Sequence, residues 1–160
     1  MIKILQADLT NPIHAKALID LLNSYALDSM GGGEELSAFT KKNLANKLSK
    51  RIDTTVILAF EDDKPAGLIN CIEGFSTFAC KPLMNIHDVF VGAEYRGKGL
   101  ATTLLKAAEK LALDKDCCKI TLEVLEGNKA AKQAYLKFGF DSYELDPEMG
   151  KAMFWQKKLN

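Results

Sequence analysis

Residues 95–101, Tyr-Arg-Gly-Lys-Gly-Leu-Ala, constrain this chain more than any other stretch. They follow the extended run Asn85-Ile86-His87-Asp88-Val89-Phe90-Val91 and open an amphipathic run from Gly97 to Leu113. A glycine-rich turn between a strand and a helix leaves backbone N–H groups without intrahelical acceptors at the helix start. The helix dipole favours negative charge there, so the turn is a ready place for a phosphate or pyrophosphate. Arg96 and Lys98 add two cations.

Three glycine-rich patterns compete for the stretch. A P-loop needs G-x-x-x-x-G-K-[ST]; Gly92 to Lys98 fits seven positions, but the eighth is Gly99, which has no hydroxyl for a magnesium ion. A dinucleotide fingerprint G-x-G-x-x-G starts at Gly97 and Gly99 and fails at Thr102. Its acidic partner would be Asp114 or Asp116, and both precede the next apolar run. The third pattern, R/Q-x-x-G-x-G/A, is met by Arg96, Gly99 and Ala101. It is the acetyl-CoA pyrophosphate loop of the GNAT family of N-acetyltransferases, which this chain resembles.

A second motif carries the same resemblance. Residues 128–140, Asn-Lys-Ala-Ala-Lys-Gln-Ala-Tyr-Leu-Lys-Phe-Gly-Phe, match the family's N-x-x-A-x-x-x-Y-x-x-x-G-F at every fixed position. They follow the strand-like Lys119-Ile120-Thr121-Leu122-Glu123-Val124, in the order the family uses. Asn128 and Tyr135 lie seven residues apart, two helical turns, so both fall on one helix face.

Bulk properties fit a compact enzyme. The 160 residues are expected to form one domain, 1–160, with a sizeable core. Lys plus Arg and Asp plus Glu each number 21, so no global field favours nucleic acid or an anionic membrane. No apolar run approaches the ~20 residues that span a bilayer, and no basic segment followed by an apolar one suggests secretion. Cys71, Cys80, Cys117 and Cys118 lack C-x-x-C spacing, and only two histidines accompany them. Free thiols in a reducing cytoplasm, with no metal, are expected.

Along the chain, Met1 to Ala7 predicts a first strand, and Asn11-Pro12 caps and opens a helix with Ile13, Ala17, Leu21 and Tyr25 at helical spacing. Gly31-Gly32-Gly33 ends it, and a more polar helix is predicted from about Ser37 to Arg51. Thr54 to Phe60 and Ala66 to Ile72 read as a hairpin, and Phe75 to Pro82 as irregular chain. The His87 strand, Gly97 helix, Glu123 strand and Asn128 helix follow. Phe140 to Leu145 and Lys151 to Leu159 read as a closing strand pair around Asp146-Pro147. The order β-α-α-β-β-β-α-β-α-β-β is similar to that of the GNAT fold, an α/β (α+β) architecture whose mostly antiparallel sheet splays in the middle between helices on both faces.

The resemblance implies how acetyl-CoA is held. The strands of Val89-Phe90-Val91 and Thr121-Leu122-Glu123 would splay to admit the pantetheine arm as a surrogate strand. Val89, Phe90 and Val91 are thereby assigned to the pantetheine and acetyl end. Arg96, Gly97, Lys98, Gly99, Leu100, Ala101 and Thr102 are assigned to the pyrophosphate, and Asn128 and Ala131 to the pantetheine near its thiol. It also implies an amine acceptor, small molecule or peptide, and admits a homodimer.

The implied chemistry is acyl transfer from a thioester. An alkyl amine, pKa about 10.4, must lose a proton before attack. An N–H of Phe90 or Val91 would stabilise the oxyanion. The motif assigns Tyr135 to protonate the departing thiolate. A phenol at about 10 is a weaker acid than a thiol near 8.5, so complete transfer is uphill by roughly 2 kcal/mol unless it accompanies C–S cleavage or the site lowers the phenol pKa.

The base is open. His87 alternates with Val89 and suits proton transfer near neutrality; a hydrogen-bonded sheet histidine fits as well. Asp88, predicted on the opposite strand face, reads as structural. Glu123 is the other candidate base. Related spermidine/spermine acetyltransferases have a glutamate where this chain has His87, which puts polyamine specificity in doubt. Glu34 and Glu35, in a glycine-rich and hence mobile loop, are candidates to attract a cationic acceptor, or are a solvated turn. A non-catalytic CoA-binding regulatory module is the alternative to an enzyme.

Overall fold

The computed structural model describes residues 1–159, and the chain packs as two compact units, residues 1–122 and 123–160. In the first unit the elements are β1 (Ile2–Gln6), α1 (Pro12–Leu27), α2 (Ala38–Ser49), β2 (Thr54–Glu61), β3 (Lys64–Ser76), β4 (Lys81–Val91), α3 (Leu100–Asp114) and β5 (Ile120–Leu122). Single 3-10 turns lie at Ser29–Gly31 and Ala93–Tyr95.

The five strands form one sheet in the order β1-β2-β3-β4-β5. All neighbours are antiparallel except β4 and β5, which run parallel and are joined through α3. A parallel pair needs such a crossover, and the amphipathic run after Gly97 supplies it.

Strand alternation distributes the core to two faces. Val56, Leu58, Phe60, Leu68 and Phe90 pack with Ala17, Leu18 and Leu21 of α1. The intervening Gly67 faces α3: a Cβ there would sit 3.0 Å from Leu104 Cδ1. Leu104, Leu105 and Ala108 of α3 are fully buried. Truncating a side chain such as Leu104 to alanine costs about 2–5 kcal/mol.

The predicted helix starts are present. Asn11 Oδ1 accepts from the Ile13 N–H at 2.9 Å, with Pro12 in the first turn. Ser37 Oγ accepts from the Thr40 N–H at 3.1 Å. The stretch near Phe75 to Pro82, expected to be irregular, is the tip of the β3–β4 hairpin: residues 77–80 form a turn, while Phe75 pairs with Pro82 and Ser76 with Lys81. Pro82 gives up no acceptor by entering the strand, since its carbonyl still accepts from the Cys118 N–H at 2.8 Å.

All four cysteines are free thiols. Cys71 is buried, and burial pushes its thiol up to about 12. A maleimide applied to the native protein should therefore modify exposed Cys80 and Cys118 and spare Cys71. Mass mapping of the labelled peptides checks this, and Cys71 labelled at the pace of Cys80 would contradict the packing. Among the described residues, no helix is long and apolar enough to cross a membrane, and no three His, Cys, Asp or Glu side chains gather as a metal site.

The second unit holds α4 (Lys129–Phe138) and a 3-10 turn at Pro147–Met149. Asn128 caps α4 by accepting from the Ala131 N–H at 3.2 Å. Gly139 closes it in the left-handed region at φ 112°, where its N–H reaches the Tyr135 and Leu136 carbonyls. The predicted closing strand pair is not formed: one antiparallel bridge, Glu144 to Lys151, stands in its place. Phe154, Trp155 and Leu159 remain largely exposed, so the alternation there gains no buried face to hold a ladder.

Candidate active site

The loop after β4 has the geometry that its glycines foretell. Gly97 and Gly99 both sit at φ 77°, and a Cβ built on either meets nothing within 4 Å. Gly99 is the N-cap of α3 and offers no side-chain cap. The first turn of α3 thus presents N–H groups toward open space, a cradle suited to phosphate oxygens.

The two loop cations are engaged differently. Arg96 Nε donates to the Val91 carbonyl at 3.0 Å, and its Nη2 pairs with Asp28 at 3.0 Å. The guanidinium also lies over the Phe90 ring, 5.7 Å from its centroid. Lys98 reaches Glu61 at 3.5 Å and lies over the Tyr95 ring. Arg96 therefore braces the end of β4 against the end of α1, while Lys98 makes one longer contact.

Asp28 anchors that brace. It accepts from the Met30 N–H at 3.0 Å and from Arg96, and these bonds hold its carboxyl below the usual carboxylate range. A depressed folded pKa contributes stability above the unfolded value of about 3.9 and loses it as pH falls through the folded value. Asp28→Ala should cost about 1 kcal/mol at neutral pH. Its deficit in denaturant melts should shrink below about pH 4; a deficit constant from pH 7 to pH 3 would remove the ionised carboxylate from the account.

The β4–β5 ladder is short, and Thr121 and Leu122, expected to splay, are paired in it. β4 pairs with β5 only from Met84–Ile120 to Ile86–Leu122. Residues 87–91 continue without a partner on β5. Val89 is half-buried, and Phe90 and Val91 are buried.

Below that stretch lies a cleft of about 620 Å³, bounded by α1, α2 and the strands β2 to β4. Leu22, Leu36, Leu44 and Leu48 give it an aliphatic wall, and Tyr25, Asn70, His87 and Asp88 supply polar atoms. Tyr25 stacks on Phe90 at 5.6 Å, and burial followed by the Asp88 and Asp28 charges raises its phenol pKa.

His87 and Asp88 reach the same cleft because the strand is bulged. Asn70 pairs with Asp88 and Cys71 with Ile86, which leaves His87 as an extra residue on β4. A bulge breaks the period-two alternation. The expectation that Asp88 points away from the face of His87 is thus corrected.

The loop before α2 is tied down where mobility was expected. The Gly31 N–H bonds the Asp28 carbonyl, and the Gly33 N–H bonds those of Ala26 and Asp28. A Cβ on Gly31 would lie 1.9 Å from the Tyr25 carbonyl oxygen. Glu34 is exposed, and Glu35 pairs with Lys41 at 2.5 Å; neither lines the cleft, though the flanking Gly31 and Leu36 do.

In the second unit, Glu123 is exposed just past the end of β5. Asn128 and Ala131 bond each other across the first turn of α4. Tyr135 is half-buried on that helix and meets Phe140 edge-on at 5.8 Å.

Sequence reasoning passed over Tyr25, Asn70 and Asp88 as cleft residues. Tyr25 reads as the last member of an apolar helical stripe. The available signal for Asn70 was an amide inside the run Leu68-Ile69-Asn70-Cys71-Ile72.

Comparisons with known proteins agree with this geometry. The sequence profile of the acetyltransferase (GNAT) family matches residues 15–140. A thialysine N-epsilon-acetyltransferase of Caenorhabditis elegans is 31% identical over 132 residues, covering 78% of this chain and 75% of that one. Its counterpart from Bos taurus is 39% identical over 54 residues, 34% of this chain and 32% of that one, so this match spans about a third of each. The solved structure of an aminoglycoside acetyltransferase from a soil metagenomic sample has the same fold, with a TM-score of 0.78 at 17% identity over 99% of this chain and 97% of that one. The loop at the foot of α3, the interrupted β4–β5 ladder and the profile match point the same way: the chain belongs to the GNAT family of acetyltransferases.

Proposed function

We propose that the protein transfers the acetyl group of acetyl-CoA to a primary amine bound in the cleft beneath β4. One observation carries the reading: the Arg96-to-Ala101 loop, with Gly97 and Gly99 at φ 77° and open space before an uncapped α3, directly follows the stretch of β4 left without a β5 partner. Pyrophosphate at the helix start leaves the pantetheine to run along residues 89–91 as an added strand.

In this reading the acceptor loses a proton, its nitrogen bonds the acetyl carbon, and a backbone N–H of Phe90 or Val91 receives the oxyanion. Collapse re-forms the carbonyl and breaks the C–S bond, and Tyr135 gives its proton to the sulfur. The nitrogen's excess proton leaves to solvent, from which the phenolate is reprotonated, so that CoA thiol and a neutral amide are released. Asn128 and Ala131 belong with the pantetheine on the strength of the motif alone. His87 is the favoured base because it is exposed and lines the cleft; Glu123 is the competitor. Glu34 and Glu35 remain as outer attractants for a cationic acceptor.

The test is thiol release from acetyl-CoA against a panel containing thialysine, an aminoglycoside and simple alkyl amines. Amine-dependent thiol with an equal amount of N-acetyl product is expected. A blank across the panel, with CoA binding confirmed by calorimetry, would favour a non-catalytic CoA-binding module.

A further inference from the structure

Arg96 stands in the phosphate loop, but its side chain reaches back out of it. The guanidinium donates to the Val91 carbonyl and to Asp28, each at 3.0 Å, and lies over the Phe90 ring. Val91 closes the stretch of β4 that has no β5 partner. Among the described residues the side chain has no other hydrogen bond or ion pair, so its polar contacts belong to β4 and the end of α1.

Asp28 ties the wall of the cleft. Its N–H ends α1 on the Ser24 and Tyr25 carbonyls, its carboxylate accepts from the Met30 N–H, and its carbonyl accepts from Gly31 and Gly33. Tyr25 and Ala26 before it, and Gly31 and Leu36 after it, line the cleft. Tyr25 in turn stacks on Phe90. The end of β4 is thus fastened to the cleft wall twice, by the ion pair and by the stacked rings, with the guanidinium over one of them.

We propose that Arg96, held by Asp28, is a positioning residue that couples the CoA side of β4 to the wall receiving the amine, leaving the pyrophosphate to the backbone N–H groups of the loop. The amine enters through the acetyl-transfer reading, on which that part rests; the coupling of loop to wall does not need it. Stability does not account for the pair, since its side chains are 51% and 25% exposed and ion pairs so open to water add little. What it supplies is geometry. A planar guanidinium holds two acceptors in a fixed relation, which one ammonium on a flexible stem does not. A ligand laid along residues 89–91 fixes the Val91 carbonyl, and with it the guanidinium, Asp28 and the turn that Asp28 caps. Coupling of this kind is reciprocal, so an occupied cleft would favour CoA in return. A misplacement of about 1 Å between amine and thioester can cost about 10²-fold in rate.

Two measurements test this on wild type, Arg96→Gln, Asp28→Asn and the double variant. Glutamine keeps an amide donor and loses the charge, and asparagine keeps the oxygen that caps Met30, so both folds should persist. The first measurement is amide hydrogen exchange with and without CoA, beside CoA calorimetry. CoA should slow exchange over residues 30–36 in wild type, and each single variant should lose that slowing while its CoA affinity stays within about threefold. No slowing in wild type, a comparison that needs no variant to fold, overturns the coupling. A tenfold loss of CoA affinity in Arg96→Gln with none in Asp28→Asn overturns it too, because the side chain would then be a phosphate ligand. The second is kcat/KM for the amine at saturating acetyl-CoA. Each single variant should lose about 10-fold and the double no more, since either change breaks the same link. Multiplying losses, or single variants at the wild-type rate, overturn the positioning role. Slowing that both variants abolish, in a protein that releases no thiol with any amine, would keep the coupling and sink the acetyl-transfer reading.

Discussion

Tyr135→Phe is expected to keep the fold and the CoA affinity while lowering kcat by about 10²–10⁴-fold, the range of a general acid or base. That loss corresponds to roughly 3–5 kcal/mol of transition-state stabilisation. The substitution removes one oxygen and keeps the ring, so the edge contact with Phe140 survives. The effect should shrink with an acyl donor whose leaving thiol is more acidic, because such a sulfur departs with less help. Single-turnover measurements with a good acceptor are needed, since slow binding of a poor one would mask the chemical step. If the Phe variant keeps the wild-type rate with chemistry limiting, Tyr135 has no part in proton transfer and its place in the motif is structural.

Gly99→Asp should weaken CoA by at least about 100-fold. Aspartate tolerates the left-handed backbone better than most residues, so the fold should persist. Its Cβ would point into the open space before α3, and its carboxylate would face the incoming pyrophosphate. Like charges brought together at a binding surface cost several kcal/mol, and about 2.7 kcal/mol already amounts to that factor. Calorimetry with CoA reads the affinity, and circular dichroism the fold. Gly99→Ala is the useful companion, because it strains the backbone without adding charge. Near-normal affinity in folded Gly99→Asp would place the phosphates elsewhere.

Much of the frame was legible because local signals and packing agreed. Asn11-Pro12 and Ser37 are caps by residue type and caps in fact. The continuous apolar run of β2, Val56 to Phe60, became two buried faces because α1 and α3 exist to cover them. Legibility ended where a partner or register decides the outcome. Phe75 to Pro82 ends in a proline and follows Gly74, yet the register of the longer hairpin carries pairing through both. Phe154 and Trp155 have strand propensity, but alternation without a covering face did not make a ladder. Within the site, the loop was readable because glycine reports its own backbone need. The cleft was not, since Tyr25, Asn70 and Asp88 come from three elements and meet only once the chain has folded.

The two cations of the loop differ in sequence and in fold. Arg96 stands at the fixed position of the R/Q-x-x-G-x-G/A pattern, and Lys98 at a variable one. In the fold, Arg96 joins the Val91 carbonyl to Asp28, 68 residues earlier, while Lys98 reaches Glu61 at 3.5 Å and the Tyr95 ring. Charge at a phosphate loop is thus not one quantity, and the residue matching the family pattern is also the one that braces the scaffold.

The extra residue at position 87 bears on how chains of this kind are compared. On a regular strand, two sequences with the same letters present the same side chains to the same neighbours. Here the ladder skips a place between Ile86 and Asp88, so the spelling of β4 does not determine its wall. If the same letters paired regularly onward from Asp88 and Asn70, Asp88 would keep its face, while His87 would oppose Cys71 and Ile86 would turn to the other side. Conversely, loss of His87 would leave Asp88 opposite Asn70 and Ile86 opposite Cys71, so a single deletion would remove the imidazole and keep the carboxylate in place. Alignments that count identities along this strand therefore measure ancestry better than they measure what the cleft holds.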